Sequence, residues 1–185
     1  MKPFTIETIT IPYQREELMA WKSRDPLVVP SFVLDWKGPG VSNGYGYGEW
    51  KAEQYFRNQG CYVLNTQFNL LSKKSKFDRF NHCISSLIGP SKVEKFKRTV
   101  QDFIQQGYTI ENPDLFVFNM EGQFFSEVKK GKDILREPQI HFIYLAKHIL
   151  ETESKQVYLS DTATEVQHQS LTVEVKIVDG HGKLL

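Results

Sequence analysis

Apolar and polar residues alternate along several short segments of the chain, a pattern that predicts β-strands with one buried face. The alternation predicts strands over residues 4–13, 61–68, 156–160 and 171–178. In the first of these it slips near Glu7, which is compatible with a β-bulge. Two further apolar runs, residues 115–118 and 124–125, flank a turn that ends at Gly122, and together they predict a β-hairpin.

Apolar residues recur at helical spacing between these strands. This spacing predicts helices over residues 16–23, 49–58, 77–88, 92–106 and 138–150. Residues 25–43 contain three prolines and two glycines and predict an irregular segment or an edge strand. Residues 161–170 predict a polar loop, and residues 179–185 a loose end. The order of the elements predicts a mixed sheet flanked by helices.

The composition is that of a globular protein, with 40% hydrophobic and 24% charged residues in a chain of 185. This length favours one domain with a sizeable core. The N-terminus does not resemble a signal peptide, and no apolar run approaches the roughly 20 residues of a membrane helix. The two cysteines, Cys61 and Cys83, do not suggest a disulfide scaffold. The sequence therefore predicts a cytoplasmic protein with reduced thiols and no membrane contact.

The net charge of +1 hides an uneven distribution. Residues 72–98 contain eight lysines and arginines against two acids, so this segment carries +6 and the remainder of the chain −5. A local basic patch on a nearly neutral protein can bind an anionic polymer, although it can equally be the solvated face of a helix. The basic residues are Lys73, Lys74, Lys76, Arg79, Lys92, Lys95, Lys97 and Arg98.

Two carboxylates and one ammonium group interrupt the apolar hairpin. Glu127 and Lys129 share a face because side chains alternate along a strand. If Glu121 and Gly122 form a two-residue loop, Asp114 lies opposite Lys129 and Phe116 lies opposite Glu127. Burying such charges is costly unless they are paired or bind a metal. A simpler alternative is a cross-strand ion pair between Asp114 and Lys129, with Glu127 solvated.

These residues also resemble a known motif. Pro113-Asp114, twelve intervening residues and then Glu127-Val128-Lys129 resemble the motif of the PD-(D/E)xK nucleases. The continuation at residues 130–135, followed by Gln139, is similar to the VRR-NUC branch of that superfamily. Glu49, on a predicted helix that ends near Gly60, is similar to the first acidic position of the family, and Glu53 is the alternative.

The resemblance covers residues 48–160 and implies a restriction-endonuclease-like core: one helix, three strands, another helix and a final strand. In this interpretation residues 1–185 form a single nuclease domain of the α/β class, with a central mixed β-sheet flanked by helices. Residues 1–43 are an N-terminal extension, residues 69–111 are a basic helical insertion, and extra strands lie at both chain ends.

The same resemblance implies a metal site and a cofactor. Hard oxygen ligands suit Mg²⁺, which Mn²⁺ can replace. The expected ligands are Asp114, Glu127, the backbone carbonyl of Val128 and Glu49. Lys129 is expected to orient the attacking water, and Gln139 to hydrogen-bond a water or a phosphate. The DNA backbone is expected to contact Lys73, Lys74, Lys76, Arg79, Lys95, Lys97, Arg98, Lys130 and Lys132.

The resulting hypothesis is a metal-dependent nuclease that hydrolyses phosphodiester bonds in DNA. Few residues of the basic segment suit the reading of base edges, so cleavage directed by DNA structure or by DNA ends is favoured. Replication, repair, recombination and the processing of mobile elements are the fitting settings. The alternatives are a compact type II-like restriction endonuclease acting as a homodimer, and a non-cleaving DNA-binding subunit of a larger DNA-processing complex.

Overall fold

The computed structural model describes residues 2–35 and 40–175, which form an α/β fold. Six strands build one sheet: β1 (Lys2–Pro12), β2 (Tyr62–Asn65), β3 (Leu115–Phe118), β4 (Gln123–Lys130), β5 (Glu153–Ser160) and β6 (Gln167–Val175). The α-helices are α1 (Arg15–Ser23), α2 (Ser31–Leu34), α3 (Tyr47–Asn58), α4 (Asp78–Ile88), α5 (Pro90–Gln105) and α6 (Glu137–Leu145). Short 3₁₀ turns lie at Val41–Asn43 and Ser75–Phe77, and a π-helical turn, Ala146–Leu150, continues α6.

The strand order across the sheet is β2-β3-β4-β5-β1-β6. Strand β3 is antiparallel to both β2 and β4, β5 is parallel to both β4 and β1, and β6 is antiparallel to β1. The predicted mixed sheet flanked by helices is therefore confirmed. The contiguous part of the chain from α3 to β5 contributes four of the six strands, β2 to β5, including the hairpin.

Helices cover both faces of the sheet. On one face α4, α5 and α6 pack on the hairpin through buried aromatic residues, and Phe142 of α6 meets both Phe96 and Phe125, with ring centroids 5.4 Å and 5.1 Å apart. On the other face, α1 and α3 bury Trp21 and Phe56 against strand residues. The basic helices α4 and α5 therefore contribute one of the two layers that enclose the sheet.

The slip in the alternation of β1 is a change of face. Phe4 and Ile6 pack in the α5–α6 layer, whereas Ile9 and Ile11 pack in the α1–α3 layer. The pairing of β1 with β6 continues without interruption from Lys2 to Thr10, so the expected bulge near Glu7 was wrong. On the first face Thr8 and Thr10 follow Ile6, so polar, partly buried residues replace the apolar ones beyond that point.

The predicted hairpin is confirmed, but its predicted register was wrong by two residues. Phe116 lies opposite Phe125, and Phe118 lies opposite Gln123, so residues 119–122 form a four-residue loop. The Asn119 carboxamide oxygen accepts hydrogen bonds from two backbone N–H groups of that loop, at 2.9 and 3.1 Å, which stabilises the longer turn. A shift of two residues leaves every side chain on its predicted face.

Several boundaries also differ from the predictions. Where the structure describes residues 25–43, they form the helical turn α2 and a 3₁₀ turn, so the edge strand was wrong, and residues 36–39 lie outside the described part. Strand β6 begins inside the predicted polar loop. The end of the predicted strand at residues 176–178 and the loose end at 179–185 lie outside the described residues.

No helix within residues 2–35 and 40–175 has the length and apolar character that crossing a bilayer requires. Cys61 and Cys83 are both free thiols and both partly buried.

Candidate active site

The corrected register brings two carboxyl groups together at one end of the hairpin. Asp114 immediately precedes β3, and continuing the strand pairing by one step places it beside Glu127. The Val128 N–H donates to Asp114 Oδ2 at 2.8 Å, and the Asp114 and Glu127 carboxyl groups are within hydrogen-bonding reach of each other. Glu127 is only 4% exposed. This pair of carboxyl groups is called the carboxyl pair below.

Lys129 and Gln139 both contact Glu127. Lys129 Nζ lies 2.9 Å from Glu127 Oε1 and 3.7 Å from Asp133 Oδ2. Gln139 donates a hydrogen bond from its side-chain nitrogen to the same Glu127 oxygen. Lys129 and Gln139 are themselves buried. The alternative of an Asp114–Lys129 ion pair beside a solvated Glu127 was therefore wrong, because Lys129 pairs with a buried Glu127.

The start of helix α6 fixes Gln139. The Gln139 side-chain oxygen accepts a hydrogen bond from the Arg136 N–H at 3.0 Å, which satisfies one of the free N–H groups at this helix terminus. Its amide nitrogen is thereby directed at Glu127. Gln139 thus contacts the protein's own carboxylate, and its contact with a water or a phosphate stays a prediction.

Burial dominates the electrostatics of the carboxyl pair. It raises the pKa of Glu127 to about 8, with a further increase from the Asp114 charge that the neighbouring Lys129 only partly offsets. Burial also raises the pKa of Asp114 to about 6, against the opposing effect of the Val128 N–H. Two adjacent carboxyl groups with raised pKa values are the arrangement that a bound cation stabilises, because its charge relieves both the repulsion and the loss of hydration.

Glu49 approaches the carboxyl pair from α3, on the opposite face of the sheet. Its negative charge contributes to the raised pKa of Asp114. Within the described part of the chain, no hydrogen bond or ion pair reaches the half-buried Glu49 carboxylate. Glu53, the alternative, is engaged by Arg57 at 2.8 Å and by the Asn65 amide at 3.1 Å. The geometry thus leaves Glu49, and not Glu53, available to a ligand.

The carboxyl pair fits a hard divalent cation. The described residues contain no group of three or more His, Cys, Asp or Glu side chains that could hold a metal ion. Mg²⁺, however, commonly binds through one or two carboxylates and keeps several waters. Asp114 and Glu127 supply that number of oxygen ligands. Val128 lies opposite Val157 in the β4–β5 ladder, so its backbone is held rigidly beside them.

Lys130 and Lys132, predicted together as a basic turn, have different environments. Lys132 is exposed. Lys130 is half-buried, with its Nζ 5.4 Å from the ring centre of Tyr47, and burial together with the nearby Lys22 lowers its pKa. Lys130 therefore lies on the α3 side of the sheet, near Glu49, whereas Lys129 lies on the α6 side.

The basic residues of this segment are mostly exposed, and individual ones have different neighbours. Lys97 borders the groove between α4 and α5 together with Lys73, where Asp78 and Glu94 also lie. Lys95 acts on Glu151 instead, since its charge contributes to the lowered pKa of that carboxyl. The remaining predicted contacts are Lys74, Lys76, Arg79 and Arg98, all of which are exposed.

One residue of the site carried no sequence motif. Gln156 lies directly opposite Glu127 in the parallel β4–β5 pairing and therefore on the same face of the sheet. It is 8% exposed, and its side-chain oxygen accepts no hydrogen bond from the described residues. Gln156 could have been found in the sequence from the alternation of Ser154, Gln156 and Tyr158 along β5, which places these polar residues on the face of the carboxyl pair.

Comparison of the chain with protein-family models, curated proteins and solved structures found no match. The chemistry of the site therefore follows from its own geometry. Two carboxyl groups, one amine and two carboxamides meet at one end of a rigid sheet, and a third carboxylate approaches from the other face. Such a set of groups can hold a cation and orient a water beside it.

Proposed function

We propose that this protein is a metal-dependent nuclease that hydrolyses phosphodiester bonds in DNA, with Mg²⁺ as cofactor and Mn²⁺ as a substitute. The observation that carries the proposal is the convergence of Asp114, Glu127, Lys129 and Gln139, residues separated by up to 25 positions, on one buried site. They are four of the residues that the resemblance to PD-(D/E)xK nucleases selects.

The connectivity supports the same proposal. From α3 to β5 the chain forms a helix, three antiparallel strands, a helix and a final strand parallel to the third. A restriction-endonuclease-like core has this order of elements. Helices α4 and α5 lie between its first two strands, so the basic segment is an addition to the core that also covers one of its faces.

Each side chain has a role in the proposed reaction. A bound Mg²⁺ supplies a water of lowered pKa and stabilises negative charge on the phosphoryl group. Asp114 and Glu127 hold the cation, and Glu49 is close enough to act through a water. Lys129 is placed to orient the attacking water or to balance phosphate charge. Gln139 keeps the Glu127 carboxylate in position through its hydrogen bond.

The distribution of basic residues favours cleavage directed by DNA structure or DNA ends over recognition of a long sequence. Lys73 and Lys97 border a groove and suit contacts with phosphates, which carry no sequence information. The same residues would make binding strongly dependent on salt concentration.

A non-cleaving DNA-binding protein is the second candidate. One observation favours it: the Glu127 oxygen that would face a cation already receives hydrogen bonds from both Lys129 and Gln139. In that case the site is a buried polar network that stabilises the end of the hairpin, and the DNA contacts belong to the basic helices.

A cleavage assay with Mg²⁺ or Mn²⁺ separates the two candidates. The substrates are linear, flapped, branched and single-stranded DNA, and the variants are Asp114→Asn and Lys129→Met, with the exposed Asp102→Asn of α5 as the matched control. We expect cleavage by the parent protein and the control, and a loss of at least about a hundredfold in both site variants. Equal inactivity of all proteins on every substrate, with DNA binding retained, would establish the binding protein instead.

A further inference from the structure

A cleft of about 430 Å³ opens on the α3 side of the sheet, the face opposite the carboxyl pair, and Glu49 is part of its lining. Its volume is within the range of roughly 300–1,000 Å³ that is typical of small-molecule sites. The walls come from α1, α2, the start of α3 and the end of β2. The residues that define its chemistry are Trp21, Phe32, Tyr45, Glu49, Glu53 and Asn65.

The mouth of the cleft is aromatic. Phe32 is 59% exposed and Tyr45 is 58% exposed, and both side chains line the cleft. Beneath them Trp21 is buried, and its indole N–H donates to the Tyr45 backbone oxygen at 3.0 Å. Trp21 also packs against Trp50, with ring centroids 5.2 Å apart, so the floor of the cleft is rigid. Exposed aromatic rings on a rigid floor provide a stacking platform.

Another part of the lining is polar and held in place by hydrogen bonds. Asn65 donates from its amide nitrogen to Glu53 at 3.1 Å, and Arg57 balances the Glu53 charge at 2.8 Å. The Asn65 carboxamide oxygen is buried and accepts no hydrogen bond from the described residues. A planar ligand stacked at the mouth would present its edge to these carboxylate and carboxamide groups. Nucleobases have donors and acceptors along such an edge.

Glu49 connects the cleft to the carboxyl pair, because it lines the cleft and its charge also acts on Asp114. On the adjoining rim, two cations approach Gly44: a side chain there would lie 3.2 Å from Lys130 Nζ and 3.4 Å from the Lys22 stem. Gly44 has a φ of +83°, so this close approach requires glycine. The rim thus offers positive charge to a phosphate whose base occupies the cleft.

We propose that the cleft binds an unpaired nucleobase of the DNA strand that is cut. A base inside a duplex cannot reach a pocket of this kind unless it leaves the stack, so the inference assigns single-stranded, frayed or flapped DNA as the substrate class. The inference rests on the proposed nuclease function, because that function places the scissile phosphate at the carboxyl pair. The recognition itself uses stacking, which every base can provide.

The test measures binding in EDTA, where metal-dependent cleavage cannot occur. Fluorescence anisotropy follows the binding of a labelled single strand and of the corresponding blunt duplex. Phe32→Ala and Tyr45→Ala should each weaken single-strand binding by roughly 5- to 150-fold, the loss expected for one base–aromatic stack, and leave duplex binding unchanged. Tyr62→Ala is the matched control, since Tyr62 is 66% exposed on β2 and lies outside the cleft. Equal melting temperatures show that the variants are folded.

A strand with one abasic position identifies the bound base. When that position is the one that occupies the cleft, Phe32→Ala should cause no further loss, because the stack is already absent. Wild-type affinity of both cleft variants for the single strand, or an equal loss on the duplex, would overturn the inference even if the protein cuts DNA. If the protein does not cut DNA but the variants lose single-strand binding, the cleft assignment holds and the nuclease proposal fails.

Discussion

Glu127 is the residue on which the site depends, since a buried carboxylate must be compensated. Lys129 and Gln139 each donate to it, yet the pKa of Glu127 is still raised, so burial and the neighbouring Asp114 outweigh the donors. Without a metal, the site therefore favours the protonated form of the Glu127 carboxyl group. A bound cation would take the place of that proton. Gln156 completes the surroundings with an oxygen that has no donor among the described residues.

We predict that Gln156→Met raises stability and lowers activity. An unmade hydrogen bond in a buried site costs about 1–3 kcal/mol, so an apolar side chain of similar length should raise the melting temperature. The strand pairing places Gln156 opposite Glu127, so this oxygen can accept a hydrogen bond from a water of the site, and its removal should reduce cleavage about tenfold. Thermal unfolding and a cleavage assay on one preparation measure both effects.

Ser154→Ala is the matched control for that prediction. Ser154 lies on the same face of β5, and its buried oxygen also has no hydrogen-bond partner among the described residues, but it pairs with Phe125 and not with a residue of the site. This variant should keep full activity. Equal activity in both variants would show that Gln156 has no role beside the carboxyl pair, and a loss of stability in Gln156→Met would show that its side chain makes hydrogen bonds that stabilise the fold.

At the scale of the elements, the sequence predicts where strands and helices lie better than how they pair. The apolar runs around Gly122 correctly predict a hairpin, but the choice between a two- and a four-residue loop depends on Asn119 and on the packing of Phe116 against Phe125. Likewise, a slip in alternation has the same signature for a bulge and for a change of buried face. Only the cover that α6 and its neighbours provide distinguishes the two in β1.

Helix α5 illustrates a second limit. Its spacing predicts a buried apolar stripe, and Val93, Phe96, Val100 and Phe103 are buried, but Ile104, predicted as part of the stripe, is 54% exposed. The charges were predicted as one patch because they are close in sequence. A helix separates neighbours by about 100°, so they face different surroundings. Lys97 faces the α4–α5 groove, whereas Lys92 forms an ion pair with Glu151 at 2.5 Å.

This division leads to a prediction for DNA binding. Lys97→Gln should weaken binding severalfold and reduce the slope of log affinity against log salt by about one, the effect of losing one phosphate contact. Lys92→Gln is the control on the same helix, because Glu151 already balances its charge, and its slope should equal that of the parent protein. Titrations at several salt concentrations measure both slopes. Identical slopes for all three proteins would show that Lys97 is a solvated surface charge that makes no phosphate contact.

At the scale of the whole molecule, the candidate site joins elements that are distant in sequence. The motif residues Asp114, Glu127 and Lys129 could be found in the sequence because they are local to one hairpin. The placement of Glu49 required the packing of α3 on the sheet, and that of Gln156 required the parallel pairing of β4 with β5. Parallel pairing and helix docking depend on long-range contacts that no local pattern encodes.

Because the carboxyl pair belongs to the core of the sheet, its ionisation should affect the stability of the whole fold. The pKa of Asp114 is raised to about 6 and that of Glu127 to about 8, from ordinary values near 4. A carboxyl whose folded-state pKa is raised favours folding below its unfolded pKa, and this contribution is lost as the pH rises through the folded value. In EDTA the melting temperature should therefore fall between about pH 4 and pH 8.

Asp114→Asn tests this linkage because it removes one charge of the carboxyl pair and keeps an oxygen for the Val128 N–H. The variant should lose less stability than the parent protein over that range, while the exposed Asp102→Asn should follow the parent.

At pH 8, Mg²⁺ or Mn²⁺ should raise the melting temperature of the parent protein, since a ligand that binds only the folded state stabilises it by about 2.7 kcal/mol at one hundred times its Kd. The same cations should leave the melting temperature of Asp114→Asn nearly unchanged. A parent protein whose melting temperature is the same with and without these cations would argue against a metal site at Asp114 and Glu127.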